Sequence, residues 1–323
     1  MNAICDVKRE LHYHARRLYC APYVTRGYLG PGARQIEKLS SEVSDALHEG
    51  MSQRFSDDNG ATWSAWKKPN QSWPTQGDCT KEEMNFAYGY DPEDERQVAH
   101  LYHFGAPSNS VFALKVFIGR RDTAAGSYQW QSSPAFYLPR RVSTRGLMEP
   151  ALSELRDDRL LLVARGSNEY LDPEKCPGRL WMATSEDGGL NWSRVTDMRY
   201  TTGEQFYSPS SMSRLIRSTK TGNLYWVGNI SPAPPAGNMP RYPLVIAEVD
   251  EQRVALRKET VTVIDDRDPS RDSVSLCLSN FALLENRETL QFALYMNRFG
   301  EKADADPKNI FTTDAYKYTL TLR

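Results

Sequence analysis

One nine-residue pattern, Ser-x-Asp-x-Gly-x-x-Trp-Ser, occurs twice in this chain. Residues 56–64 read Ser-Asp-Asp-Asn-Gly-Ala-Thr-Trp-Ser, and residues 185–193 read Ser-Glu-Asp-Gly-Gly-Leu-Asn-Trp-Ser. Each conserved position of the pattern has a physical job. The carboxylate accepts hydrogen bonds from backbone amides of its own turn. The glycine supplies a backbone conformation with φ > 0. The tryptophan anchors the turn on the strand that follows. The pattern therefore predicts a β-hairpin turn that carries its own staple. Weaker copies are Arg121-Asp122 with Gly126 and Trp130, and Ala247-Glu248-Val249-Asp250 without the glycine or the tryptophan. The aspartates Asp58, Asp122, Asp187 and Asp250 are spaced by 64, 65 and 63 residues. Such regularity implies one recurring unit, long enough for four strands and their loops.

The strand patterns agree with this unit. Short β-rich runs bounded by Gly, Pro, Asn or Asp cover residues 159–165, 180–184, 223–228 and 244–249. No long segment has a helical period, and residues 35–48 alone allow one short amphipathic helix. Dividing the chain by the repeat gives five units, and a sixth can be assembled from both termini. There the alternating run at residues 316–322 would pair with N-terminal strands and remove an open edge. The expected fold class is all-β: a β-propeller of four-stranded blades, six blades favoured over five, with residues 1–323 as a single domain.

Composition excludes several functional classes. With 40 basic and 41 acidic residues the net charge is −1, so no nucleic acid or anionic membrane is expected as a partner. The longest apolar runs, such as residues 160–164, are strand-sized and far short of a membrane span. Five scattered cysteines (Cys5, Cys20, Cys79, Cys176, Cys277) form no CxxC or Cys/His cluster, and the five histidines fit no strong metal motif, so no metal and no cofactor are expected. The odd cysteine number and the absence of an apolar leader point to a cytoplasmic protein. A true start lying upstream would leave a secreted or periplasmic location open. Aromatic residues make up 11%, which suits β-sheets and also sugar-binding surfaces, where flat rings pack on sugar faces.

Longer stretches resemble the sialidase (neuraminidase) superfamily, whose bacterial repeat is this aspartate box; the resemblance covers roughly residues 45–300. Met148-Glu149-Pro150-Ala151 through Arg159-Leu160, ending at Arg165, is similar to a family strand pair in which a Glu opens the first strand and an Arg closes the second. Ser208-Pro209-Ser210-Ser211 through Leu215 resembles the opening of the next blade. Asn238-Met239-Pro240-Arg241 is similar to the stretch where the family places another site arginine. Leu278-Ser279-Asn280-Phe281, with Tyr295-Met296-Asn297-Arg298, resembles a later blade.

The resemblance implies an exo-acting glycoside hydrolase for a terminal sialic acid or another acidic sugar. In such chemistry arginines from separate blades clamp the sugar carboxylate, because a planar guanidinium fork matches it. A tyrosine activated by a glutamate attacks the anomeric carbon, and a neutral acid protonates the leaving oxygen. Glu149 is the candidate activating carboxylate, and Arg165 and Arg241 are candidate clamp arginines. Arg26 is the candidate for the third, although the family's Phe/Tyr-Arg-Ile-Pro signature is absent. Where the family often carries its nucleophile this chain has Leu278-Ser279-Asn280-Phe281, so Tyr207, from the preceding blade, is the candidate. Asp45, His48 and Glu49 are candidates for the acid. Two alternatives stay open: another carbohydrate-active enzyme on the same propeller, such as a uronic-acid hydrolase or lyase, and a non-catalytic glycan-binding propeller. The expected partner is a carbohydrate or glycoconjugate.

Overall fold

The structure is a computed structural model and describes residues 4–13, 87–89, 112–114, 116–122, 127–134, 137–302 and 313–323. The first copy of the nine-residue pattern, Asp58 included, lies outside the described residues, as do Arg26, residues 35–48, His48, Glu49, Cys20, Cys79, His14, His100 and His103.

The described residues are all-β apart from a single 3-10 turn at Lys258–Thr260. β1 (Cys5–Tyr13) is followed by the pair β2 (Ala87–Gly89) and β3 (Phe112–Leu114), and by the hairpin of β4 (Phe117–Asp122) and β5 (Ser127–Ser132). Then β6 (Met148–Glu154), β7 (Leu160–Arg165), β8 (Leu180–Ser185) and β9 (Thr196–Asp197) form a four-stranded antiparallel meander. A second meander runs through β10 (Arg214–Arg217), β11 (Leu224–Asn229), β12 (Leu244–Asp250) and β14 (Thr262–Asp265), with β13 (Ala255–Leu256) pairing to the far end of β12. A third joins β15 (Ala282–Glu285), β16 (Phe292–Asn297) and β17 (Ala315–Leu322) to β1. Successive four-stranded meanders packed face to face are the blades of a β-propeller. The outer strand of the last blade comes from the other end of the chain: Cys5 lies opposite Leu322 and Leu11 opposite Tyr316, the terminal pairing that the alternating run predicts.

The unbroken apolar runs follow from two-sided burial. Along β7, Leu161 and Val163 face a core shared with the β10–β14 blade, whereas Leu162 and Ala164 face a core with Leu114, Leu138 and Leu147. Along β11, Leu224 and Trp226 join the first of these cores, and Tyr225 and Val227 point the other way, toward Phe292, Leu294 and Tyr318 of the last blade. A strand buried on one face would alternate apolar with polar residues; residues 160–164 and 224–227 are apolar throughout because neighbouring sheets cover both faces. Among the described residues no helix is long and apolar enough to cross a membrane.

The second copy of the pattern forms the expected staple between β8 and β9. The Asp187 carboxylate accepts the Asn191 amide at 2.8 Å, the Asn191 side-chain amide at 2.7 Å and the Ser185 hydroxyl at 2.9 Å. Gly188 and Gly189 hold φ values of 71° and 95°, and Trp192 Nε1 donates to the Gly189 carbonyl at 3.0 Å. At the end of β12 Asp250 works in the same way, accepting the Arg253 amide at 3.0 Å. This weaker copy keeps its staple without the glycine or the tryptophan.

Two outcomes are expected. Leu161→Ala opens a cavity at a fully buried position and should lower unfolding stability by about 2–5 kcal/mol in urea titrations. Hydrogen bonds from Asn191 hold the Asp187 carboxyl below the usual carboxylate range. Its contribution is therefore complete above the unfolded value near pH 4 and is lost as pH falls through the lower folded value. Melting temperatures of Asp187→Asn should accordingly converge on wild type as pH drops below about 4.

Candidate functional site

The second strand of a blade ends where apolar alternation stops, and there polar side chains collect. Arg165 closes β7, and Glu149 lies near the start of β6, beside it in the strand pair. The β6–β7 register shifts between Met148 and Ala151, and Glu149 adopts φ = 49°, a left-handed conformation uncommon outside glycine. At this irregular point its carboxylate meets the neighbouring strand end, and Arg165 Nη2 donates to Glu149 Oε1 at 2.9 Å.

Arg165 is nearly enclosed, its side chain 11% exposed against 39% for Glu149. Its Nη1 donates to the Ser210 carbonyl at 2.7 Å and the Ser210 hydroxyl at 3.1 Å, with a longer contact of 3.4 Å to Asn238 Oδ1. Arg241 arrives from the loop between β11 and β12. Its Nη2 donates to the same Ser210 carbonyl at 2.8 Å, and its Nε to the Asn238 carbonyl at 3.1 Å. One backbone oxygen thus holds two guanidinium groups from different blades. Among the described residues Arg241 Nη1 donates to nothing. Burial pushes the Arg165 guanidinium down to about 10; Glu149 opposes that shift, and the positive charges of Arg241 and Arg145 add to it. Arg165 is still a cation at neutral pH.

The structure therefore brings together three of the sequence candidates, Glu149, Arg165 and Arg241. Tyr207 lies three residues before Ser210 and pairs through its backbone with Ser231. Its ring lies under the Arg179 guanidinium, 5.0 Å from the centroid, and the hydrogen bonds joining Glu149, Arg165, Ser210 and Arg241 do not include it. Arg26 and the candidate acids Asp45, His48 and Glu49 lie outside the described residues.

Sequence reasoning missed several participants. Arg145, just before β6, is close enough to act electrostatically on Arg165, and its Nη1 lies 3.8 Å from Glu169 Oε2. Ser210 and Asn238 carry the oxygens that hold the arginines. The only signal for them in the sequence was their place in the two stretches flanking Arg241 and opening the β10 blade. Chemically, this is a cluster of guanidinium groups with one half-exposed carboxylate. Guanidinium groups arranged so can pair with a carboxylate.

No protein-family model matches the chain. No curated protein matches it either. Among solved structures it is similar to the K499G mutant of NanB sialidase from Streptococcus pneumoniae, at 13% identity and a TM-score of 0.48, over 84% of this chain and 35% of that one. It is also similar to a protein of unknown function from Dyadobacter fermentans, at 12% identity and a TM-score of 0.47, over 86% of this chain and 70% of that one. A third is Trypanosoma rangeli sialidase, at 11% identity and a TM-score of 0.38, over 64% and 27% of the respective chains. The chain spans about a third of the length of the pneumococcal sialidase it matches.

Removing Glu149 alone leaves a buried cation without its counter-charge, whereas removing both partners does not. A double-mutant cycle of Glu149→Gln and Arg165→Met should give a coupling of about 1–3 kcal/mol by chemical denaturation, with the double variant more stable than additivity predicts.

Proposed function

We propose that this protein is an exo-acting glycoside hydrolase of the sialidase type, cleaving a terminal sialic acid or another acidic sugar. The observation that carries the reading is the pair of guanidinium groups, Arg165 and Arg241, fixed on the Ser210 carbonyl beside the Glu149 carboxylate. The similarity of residues 148–165 to the sialidase strand pair supports it from the sequence; the aspartate box speaks for the fold and says little about chemistry.

In this reading Arg165 and Arg241 take the sugar carboxylate, with Arg145 adding a third positive charge. Holding the carboxylate fixes the anomeric carbon next to it and lowers the entropic part of the barrier. Glu149 is the base that activates the nucleophile, and Arg165 fixes one of its oxygens while leaving the other for proton transfer. Tyr207 is the nucleophile; its ring packs against the Arg179 guanidinium.

A panel of aryl glycosides of sialic, uronic and neutral sugars tests the proposal. Wild type should release aryl alcohol from an acidic glycoside and not from neutral ones. Glu149→Gln and Tyr207→Phe should each lower kcat by about 10²–10⁴-fold. A product absorbing in the ultraviolet through a new double bond would replace hydrolysis with elimination. Acid-sugar binding without turnover would make the protein a lectin-like propeller. Unchanged kcat in Glu149→Gln would remove Glu149 from the mechanism.

A further inference from the structure

Two loops converge on the arginine pair. One follows β7 and spans residues 166–179; the other connects β11 to β12 and spans residues 230–243. Between them sits Asn168, only 2% exposed. Its carboxamide is fully used. Nδ2 donates to the Cys176 carbonyl at 2.9 Å, within its own loop, and to the Pro235 carbonyl at 2.8 Å, in the other. Oδ1 accepts the Gly237 amide at 2.7 Å. Gly237 has φ = 56°, and its α-carbon packs toward the Glu169 side chain. The Gly237 carbonyl in turn accepts the Ser210 amide at 2.8 Å, and the Ser210 carbonyl receives Arg165 and Arg241.

We propose that Asn168 is a positioning residue for the arginine pair, acting through Gly237 and Ser210. The relay runs from the Asn168 oxygen to the Gly237 amide, through the Gly237 α-carbon to the carbonyl of the next peptide, to the Ser210 amide, and through Ser210 to both guanidinium groups. Each link is a hydrogen bond to backbone, buried at Asn168 and part-buried at the guanidinium groups, so displacing one weakens the next. Asn suits the position because only a carboxamide offers two donors and an acceptor in one plane at this size. The two donors tie the loops at a fixed spacing, and the acceptor sets the height of the Ser210 segment beneath the guanidinium groups. Asn168 itself does not touch the ligand. What it fixes is the separation of the two arginines that do, which makes this inference rest on the acidic-sugar reading above.

The test uses Asn168→Leu, of similar size and without polar atoms, and Asn168→Asp, which keeps the acceptor for Gly237 and loses both donors. Two measurements are made on the full chain. The first is amide hydrogen exchange. Asn168→Leu should speed exchange at Gly237 and Ser210 at least tenfold while the β7 and β11 amides keep their protection, and Asn168→Asp should spare Gly237 more than Asn168→Leu does. Unchanged exchange at Ser210 overturns the relay, whatever the protein binds. The second measurement is the affinity for N-acetylneuraminic acid and D-glucuronic acid against their methyl esters. Both variants should weaken the wild-type preference for free acid over ester about tenfold, and should raise KM for an acidic aryl glycoside more than they lower kcat. Equal losses for acid and ester, with a lowered melting temperature, would reduce Asn168 to a general structural role and overturn the proposal. If wild type prefers neither acid over its ester, the acidic-sugar reading falls, and the exchange measurement alone decides the relay.

Discussion

Strands β7 and β11, each the second of its blade, are buried on both faces, and the stacking of the neighbouring sheets follows from that constraint. All six residues of β11 are buried, and Leu161, Leu162 and Val163 of β7 are each almost wholly removed from solvent. Enclosing a side chain of this kind stabilises by about 1.5–3 kcal/mol relative to exposure. A blade folded alone would leave half of that surface in water. Each blade therefore completes its core with residues from the next, as Leu161 does with Trp226 and Tyr225 does with Phe292. Sheets stacked this way present their strand ends together, and the strand ends are where polar chemistry is free to collect.

Two arginines at comparable strand ends show what that freedom allows. Arg165 closes β7 and Arg298 directly follows β16, each the second strand of its blade. Burial by itself pushes both guanidinium groups down. Around Arg298 it is outweighed, because Asp265, Asp272 and Glu301 enclose it and the net shift is upward; Tyr318 adds a hydrogen bond to Asp265 at 2.5 Å. That cluster neutralises its own cation and ties β14, β16 and β17 together. Arg165 has one ionic partner, Glu149, and two further guanidinium groups within electrostatic reach, and its net shift is downward. The first arrangement is electrostatically complete. In the second, one carboxylate does not outweigh burial and the two neighbouring cations.

The legible parts of the sequence were those whose physics closes over a short stretch of chain. The turn at residues 185–193 contains its own donors and acceptors, so nine residues suffice to announce it. Glu149 and Arg165 face each other across one strand pair, and the Glu…Arg spacing survives as a local pattern. The terminal strand β17 showed itself by alternation, which needs no knowledge of its partner β1. The hidden parts depend on loops meeting across blades. Ser210 holds two arginines through its backbone carbonyl, which no residue type advertises. Asn168 reaches Pro235 and Gly237 almost seventy positions away, and the carboxylates around Arg298 share no period. The short strand β13 was likewise unannounced, because two residues carry no periodicity.

Glu149 shows how these levels meet. A non-glycine residue with φ near 50° costs about 1–3 kcal/mol in strained backbone. A regular strand at this point would avoid the cost, since a residue in register alternates its side chain with its neighbours and takes extended dihedrals. The shifted register lets the β6 start depart from that geometry, and the ion pair with Arg165 offsets part of the strain. Arg241 reinforces the opposite tendency: it adds positive charge to the same small volume and raises the energy of the Arg165 cation. Both costs fall at one place, although the backbone strain is not unique to it: buried Val254 in the shared core also holds a left-handed φ, of 52°. Arg165, desolvated, and Arg241, less buried, are both held on the Ser210 carbonyl. The left-handed backbone of Glu149 and the like charges around Arg165 thus meet at one strand end, where the regular pairing of β6 with β7 is interrupted.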